Sequence, residues 1–207
     1  MNKILIVLLL MYSQFTTAQS FSVMNNSNEC KIKLHKKAAA TKTIAASFKE
    51  TVVSSMFNAP KFGSGILRYK KESKIRWEKK TPNSEIVLID GASVKMMQKG
   101  KIVERPGSNQ IAKKMQSLML GLLSHEFLNQ KDFSILYYQS KTQYKLVLAP
   151  NKSTIRKYIS AIELVFNKSN LALDNIKMLE TEQDYVTYKF TSVVFNQPIS
   201  ESKFTQF

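Results

Sequence analysis

Two blocks of strand-like patterning flank one stretch of helical periodicity, and that order leaves few folds open. In the first block, residues 44–56 are rich in β-branched and aromatic side chains, and 65–71 and 74–79 alternate in character. Residues 86–89 and 93–97 flank Asp90-Gly91, a dipeptide that accepts positive φ and marks a hairpin. Lys99-Gly100 makes a further turn before residues 101–104, and Pro106-Gly107-Ser108 breaks the pattern. From Asn109 to Leu128 the repeat changes. Ile111, Met115, Leu118, Met119, Leu122 and Leu123 recur at spacings of three and four, which places them on one broad apolar face of a helix. In the second block, 133–139 pairs with 144–148, and 159–166 pairs with 171–179 through Asn167-Lys168-Ser169-Asn170; the strand 185–195 follows. Consecutive strands interrupted by one helix predict an α+β fold with an antiparallel sheet of about ten to eleven strands.

Ahead of these blocks the chain opens on Lys3 and an unbroken apolar run from Ile4 to Met11, followed by the small residues Thr16-Thr17-Ala18. This reads as a signal peptide over residues 1–18 with Gln19 as the mature N-terminus. The run falls short of the roughly 20 residues that span a bilayer. No cysteine follows it to carry a lipid anchor, so the product is expected to be released outside the cytoplasm. Residues 19–29 are polar and rich in Asn and Ser, and read as a flexible N-terminus. Cys30 to Lys42 favours a short helix, with a weak apolar face through Ile32, Leu34 and Ala38. Residues 30–207 are expected to form a single domain.

The 207-residue chain carries a net charge of +16, and loss of the signal removes only Lys3, which leaves +15. An exported protein meets little nucleic acid, so anionic membrane headgroups or acidic partner surfaces are the expected counterparts. The lone Cys30 rules out an internal disulfide. His35 and His125 have no second histidine or cysteine at metal spacing, so neither metal nor cofactor is expected. Six glycines, no phosphate-cradling loop and no nucleophile elbow give no catalytic residues to name and no support for an enzyme.

A family resemblance emerges from several short motifs in order. Ala46-Ser47-Phe48-Lys49-Glu50-Thr51-Val52 resembles the first strand of the periplasmic outer-membrane lipoprotein carriers, the LolA family. Gly63-Ser64-Gly65-Ile66-Leu67 is similar to the family's G-x-G-x-L strand, and Ile75-Arg76-Trp77 to its aromatic-arginine-tryptophan motif. Val87-Leu88-Ile89-Asp90-Gly91 resembles its hairpin, Tyr144 to Pro150 its strand end before a proline, and Lys203-Phe204 its C-terminal pair. The chain departs from the pattern at Lys71-Glu72, where the family has arginine and proline, and at Val94 to Met97, where the family has a tryptophan. It reads as a divergent member.

The resemblance implies an incomplete antiparallel β-barrel with helices covering its mouth. It also implies a periplasmic chaperone, expected as a monomer, that takes acylated lipoproteins from an inner-membrane release complex to an outer-membrane acceptor. Residues two apart in a strand share a face. Phe48, Leu67, Tyr69, Ile75 and Trp77 are thus expected to line a lipid-binding cavity, with Met115, Leu118, Met119 and Leu122 lying over it. Lys71 is the candidate lid latch, in place of the family's arginine. Two other readings stay open: a protein of the same fold that binds a free lipid or hydrophobic metabolite, and an envelope-surface binding protein.

Overall fold

The computed structural model describes residues 20–71, 73–91, 93–103 and 133–207. The signal-like segment and the stretch 109–128, with Met115, Leu118, Met119 and Leu122, lie outside the described residues.

Twelve strands form one antiparallel sheet: β1 (Ser22–Val23), β2 (Thr43–Val53), β3 (Lys61–Lys70), β4 (Lys74–Thr81), β5 (Glu85–Asp90), β6 (Ser93–Gln98), β7 (Lys101–Ile102), β8 (Phe133–Gln139), β9 (Gln143–Pro150), β10 (Ala161–Asn167), β11 (Leu173–Leu179) and β12 (Tyr185–Phe195). Their order is β1-β8-β9-β10-β11-β12-β2-β3-β4-β5-β6-β7, so β1 and β7 end the sheet and it does not close. This is the expected incomplete barrel, with three helices among the described residues: α1 (Asn28–Ala40), α2 (Ser153–Arg156) and α3 (Ser202–Thr205). None of them is long and apolar enough to cross a membrane.

The two sequence blocks meet at β12–β2, where the last strand pairs with the first long one. The pairing shifts register between Thr191 and Val194, and Ser192 takes φ 52° at the bulge. The Asp90-Gly91 turn forms as read, with Gly91 at φ 54°. Both predicted pairs in the second block form, the second with a register shift between Val165 and Phe166.

Two short elements differ from expectation. Ser22–Val23 belong to the segment read as flexible, yet they pair with Gln139 and Tyr138 as an edge strand. Two residues are too few to show a period, so the sequence hides such a strand. In α1, the buried positions are Cys30 and Leu34, while Ile32 is 67% exposed. Residues four apart stack on one helix face, and residues two apart point to nearly opposite sides.

One face of the sheet carries the core. Leu146, Leu148, Ile162, Leu164, Phe166 and Ile176 are almost fully buried, in one cluster with Cys30 and Leu34. α1 runs along this inner face: its Lys31 ammonium lies 5.1 Å from the Tyr137 ring centre in β8, and its Lys37 ammonium 3.6 Å from that of Phe195 in β12.

Candidate functional site

The pairing registers convert the inner face into rows. Ile44, Tyr69, Ile75, Ile89 and Val94 lie side by side across β2 to β6, and Ala46, Leu67, Trp77, Val87 and Met96 form the next row. Phe48 and Phe190 sit opposite each other one row further on. Five of the residues expected to line the cavity are therefore gathered on one surface. Phe48, Leu67, Tyr69 and Ile75 are buried, whereas Trp77, Val87, Val94 and Met96 are half-buried.

The two glycines of the G-x-G motif shape this surface. Phe48 is opposite Gly65, and a Cβ on Gly65 would lie 2.4 Å from the Phe48 ring and 2.1 Å from the Glu78 carbonyl oxygen. With no side chain in the way, the Phe48 ring crosses β3 and stacks on Trp77 of β4, centroids 4.3 Å apart. Tyr188 meets both rings edge-on, at 5.7 Å from Phe48 and 4.8 Å from Trp77. Such contacts add roughly 0.5–1.5 kcal/mol each beyond the area they bury.

Gly63 does the same for Glu50. A Cβ there would meet the Glu50 carboxylate at 2.6 Å, so this space lets Glu50 reach Lys79 of β4 in an ion pair. The Tyr188 hydroxyl donates to the second Glu50 oxygen at 3.1 Å. Burial, and then the adjacent Glu50 charge, push the Tyr188 phenol well above its usual pKa, so it stays a donor. Gln98 donates to Glu85 at 3.3 Å in the same row as Lys79. The apolar rows thus end at a paired polar collar. Glu50, Lys79 and Tyr188 escaped sequence reading, because Glu and Lys normally belong to solvated faces; the G-x-G gap opposite Glu50 was the available signal.

Lys71 stands apart from this surface. β3 ends at Lys70, and Lys71 is exposed, with its backbone N–H donating to the Lys42 carbonyl at 2.8 Å. It borders a groove of about 590 Å³ with Lys42, Lys70 and Asn196. Arg76 clasps carbonyls at the C-terminal end of the chain. Its guanidinium donates to the carbonyls of Lys203 at 3.2 Å and Gln206 at 2.7 Å, and to Glu78 at 2.9 Å. That clasp holds α3 to the outer face of β4 and β5, where Phe204, Ile86 and Leu88 are buried. Glu201 adds ion pairs to Lys70 and Lys74, which draw its carboxyl down to a pKa of about 2.

Among the described residues no group of three or more His, Cys, Asp or Glu is arranged to hold a metal ion. What the geometry supplies is a wide apolar surface with a polar border.

The family model of the outer membrane lipoprotein carrier protein LolA matches residues 39–206. The chain belongs to the LolA family. The matched span takes in β2 through α3 and leaves out β1 and most of α1. Among curated proteins none matches. Solved structures resemble this LolA-family chain at low identity. A LolA superfamily protein from Nitrosomonas europaea is 8% identical over 85% of this chain and 97% of its own, with a TM-score of 0.42. A conserved protein from Thermus thermophilus is 10% identical over 88% and 94%, with a TM-score of 0.49. The MucA/MucB complex of Pseudomonas aeruginosa gives 10% identity over 84% of this chain and 59% of the matched one, with a TM-score of 0.47.

Proposed function

We propose that this LolA-family protein is a periplasmic carrier that shields the acyl chains of lipoproteins on its inner face and takes them towards the outer membrane. The observation that carries this reading is the half-buried apolar row of Trp77, Val87 and Met96 beside the Phe48–Trp77 stack, bounded by a paired polar collar. Phe48, Leu67, Tyr69 and Ile75 form the floor of that surface, and Met115, Leu118, Met119 and Leu122 are the helix positions proposed to face it. The family implies an inner-membrane release complex as donor and an outer-membrane acceptor.

The energetics explain the need for a carrier. Each methylene kept from water contributes about 0.8 kcal/mol, so several acyl chains amount to tens of kcal/mol. A carrier without a nucleotide cycle must also let go, and a state that costs free energy to open lowers net affinity. Lys71 is the proposed latch for such a state. Lysine lacks the planar, pre-organised fork of arginine, so its hold on paired carbonyls is weaker.

Incubation with a triacylated lipoprotein in detergent-free buffer tests the reading. The protein should form a one-to-one soluble complex and change Trp77 emission, and Met96→Glu should abolish the complex while the fold persists, because a carboxylate would have to be desolvated against the acyl chain. Intact binding by a folded Met96→Glu protein would overturn the reading. Lys71→Leu should fold normally and shift the balance of loading and transfer. A free lipid as cargo is the second reading, favoured by the exposed Lys71 where the family has its arginine-proline corner. Native mass spectrometry separates the two, by a bound lipid with no attached polypeptide.

A further inference from the structure

The opposite face of the sheet holds a feature that the carrier reading does not use. Across β11, β12, β2 and β3 the register aligns Asn175, Lys189, Lys49 and Ser64 in one row. Two residues along, Lys177, Thr187, Thr51 and Phe62 form the next. Lys189 and Lys49 are thus directly opposite each other, as are Thr187 and Thr51. Directly opposed residues have Cβ atoms about 4.5–5.5 Å apart, and like charges in that position destabilise a sheet.

Several other cations on this outer face are paired with carboxylates. Lys145 pairs with Glu163 at 3.1 Å, Arg76 with Glu78 at 2.9 Å, and Lys70 and Lys74 with Glu201. Lys49 and Lys189 have no hydrogen-bond or ion-pair partner among the described residues, and neither do the hydroxyls of Thr51 and Thr187. The four side chains line a groove of about 660 Å³, bordered by Phe21 and by Phe62, which is 68% exposed. Two carboxylates reach its wall, and both are engaged: Glu50 with Lys79 and Tyr188, and Asp174 with the Gln143 amide at 3.0 Å. The Asn175 side-chain oxygen is buried at the end of the lysine row with no hydrogen-bond donor.

We infer that this groove binds a phosphate-bearing ligand, the headgroup of an anionic lipid or a free phosphate ester. Two ammoniums neutralise the phosphate, and the two threonine hydroxyls donate to its oxygens. The aromatic borders suit the less polar part of an amphiphile. The site lies on the face opposite the proposed cargo surface and stands or falls separately from it.

The test compares the wild-type protein with the double variant Lys49→Gln/Lys189→Gln and with Lys36→Gln/Lys141→Gln, which removes the same charge at two exposed lysines elsewhere. Binding to phosphatidylglycerol vesicles, phosphatidylcholine vesicles and soluble glycerol 1-phosphate is measured at low and physiological salt, with circular dichroism as the check on folding. The groove variant should lose at least about tenfold in affinity for the phosphatidylglycerol vesicles or for glycerol 1-phosphate, the loss of two charge-assisted contacts. The control variant should lose less than about twofold, a screened long-range effect. A loss confined to vesicles identifies a lipid headgroup, and one seen equally with glycerol 1-phosphate identifies a free phosphate ester. Equal losses in the two variants, or no binding of either phosphate probe by the wild type, would overturn the inference. Acyl-chain binding by the groove variant, read from Trp77 emission, should be unchanged.

Discussion

The inner face of the sheet is one surface with two characters. On strands β8 to β10, Leu146, Leu148, Ile162 and Leu164 are 0% exposed, and Cys30 and Leu34 of α1 join the same cluster. On strands β4 to β6, Trp77, Val87, Val94 and Met96 are half-buried, and the Phe48 ring of β2 crosses Gly65 of β3 to stack on Trp77. The residue types alternate with the same period on both sides, so pattern alone does not separate them. The difference lies in what each side is packed against. A side fully packed by its own helix stabilises the fold, whereas a side with half-buried rings and methionine can exchange partners at modest cost.

That contrast can be broken or sharpened experimentally. The largest effect is expected at Leu164, where truncation to alanine should cost about 2–5 kcal/mol in urea unfolding, as for other filled core sites. Met96→Ala should cost under about 1.5 kcal/mol, within the range of tolerant sites. Equal losses would erase the distinction between the two sides. Next is Gly65→Ala. Its new methyl meets the Glu78 carbonyl oxygen, a backbone atom that cannot swing away, so a loss of about 1–3 kcal/mol and a shifted Trp77 emission should follow. Unaltered emission would show that the stack does not depend on the gap.

Cys30 gives a kinetic reading of the covered side. Burial pushes its thiol up to a pKa of about 11, so near neutral pH it should react with a thiol reagent only as fast as α1 lifts away. Because the folded thiol holds its proton more tightly, stability should also fall as pH rises from the usual 9.0 towards 11. Rapid labelling of the native protein would mean that α1 is a loose cover. The smallest effect is expected at Glu201. Its depressed carboxyl contributes above the usual pKa of 4.5, and that contribution is lost as the pH falls towards about 2. Protection of the α3 amides from exchange, relative to their intrinsic rate at each pH, should therefore fall over that acid window, and Glu201→Gln should remove the dependence. Since Glu201 is exposed, the change in overall stability should be slight.

Much of this architecture was legible beforehand. The bounds of β8 and β12 coincide with the patterned segments, because each is flanked by polar or turn-forming residues such as Asn196 and Ser140. The Asp90-Gly91 hairpin was legible because glycine tolerates its positive φ. The collar was not, since Glu50 and Lys79 acquire their buried surroundings only when three strands align. Arg76 was likewise opaque in its role. Its acceptors are carbonyls 127 and 130 positions away, in and just after a four-residue helix too short to show any period. In the candidate site, alternation gathered Phe48, Leu67, Tyr69, Ile75 and Trp77 on one surface, as the pairing registers do, whereas Lys71 was singled out by the family pattern alone and lies beyond the end of β3.

The gap at Gly65 also has a bearing on descent. Its missing methyl is demanded twice, once by the Phe48 ring and once by the main chain of β4. Drift can shrink the ring and leave the second demand in force, whereas the glycine cannot be exchanged first without moving a strand. As copies of this gene diverge, the aromatic stack is therefore free to erode before the glycine does, and the smallest residue of the motif should be the last trace of it to disappear.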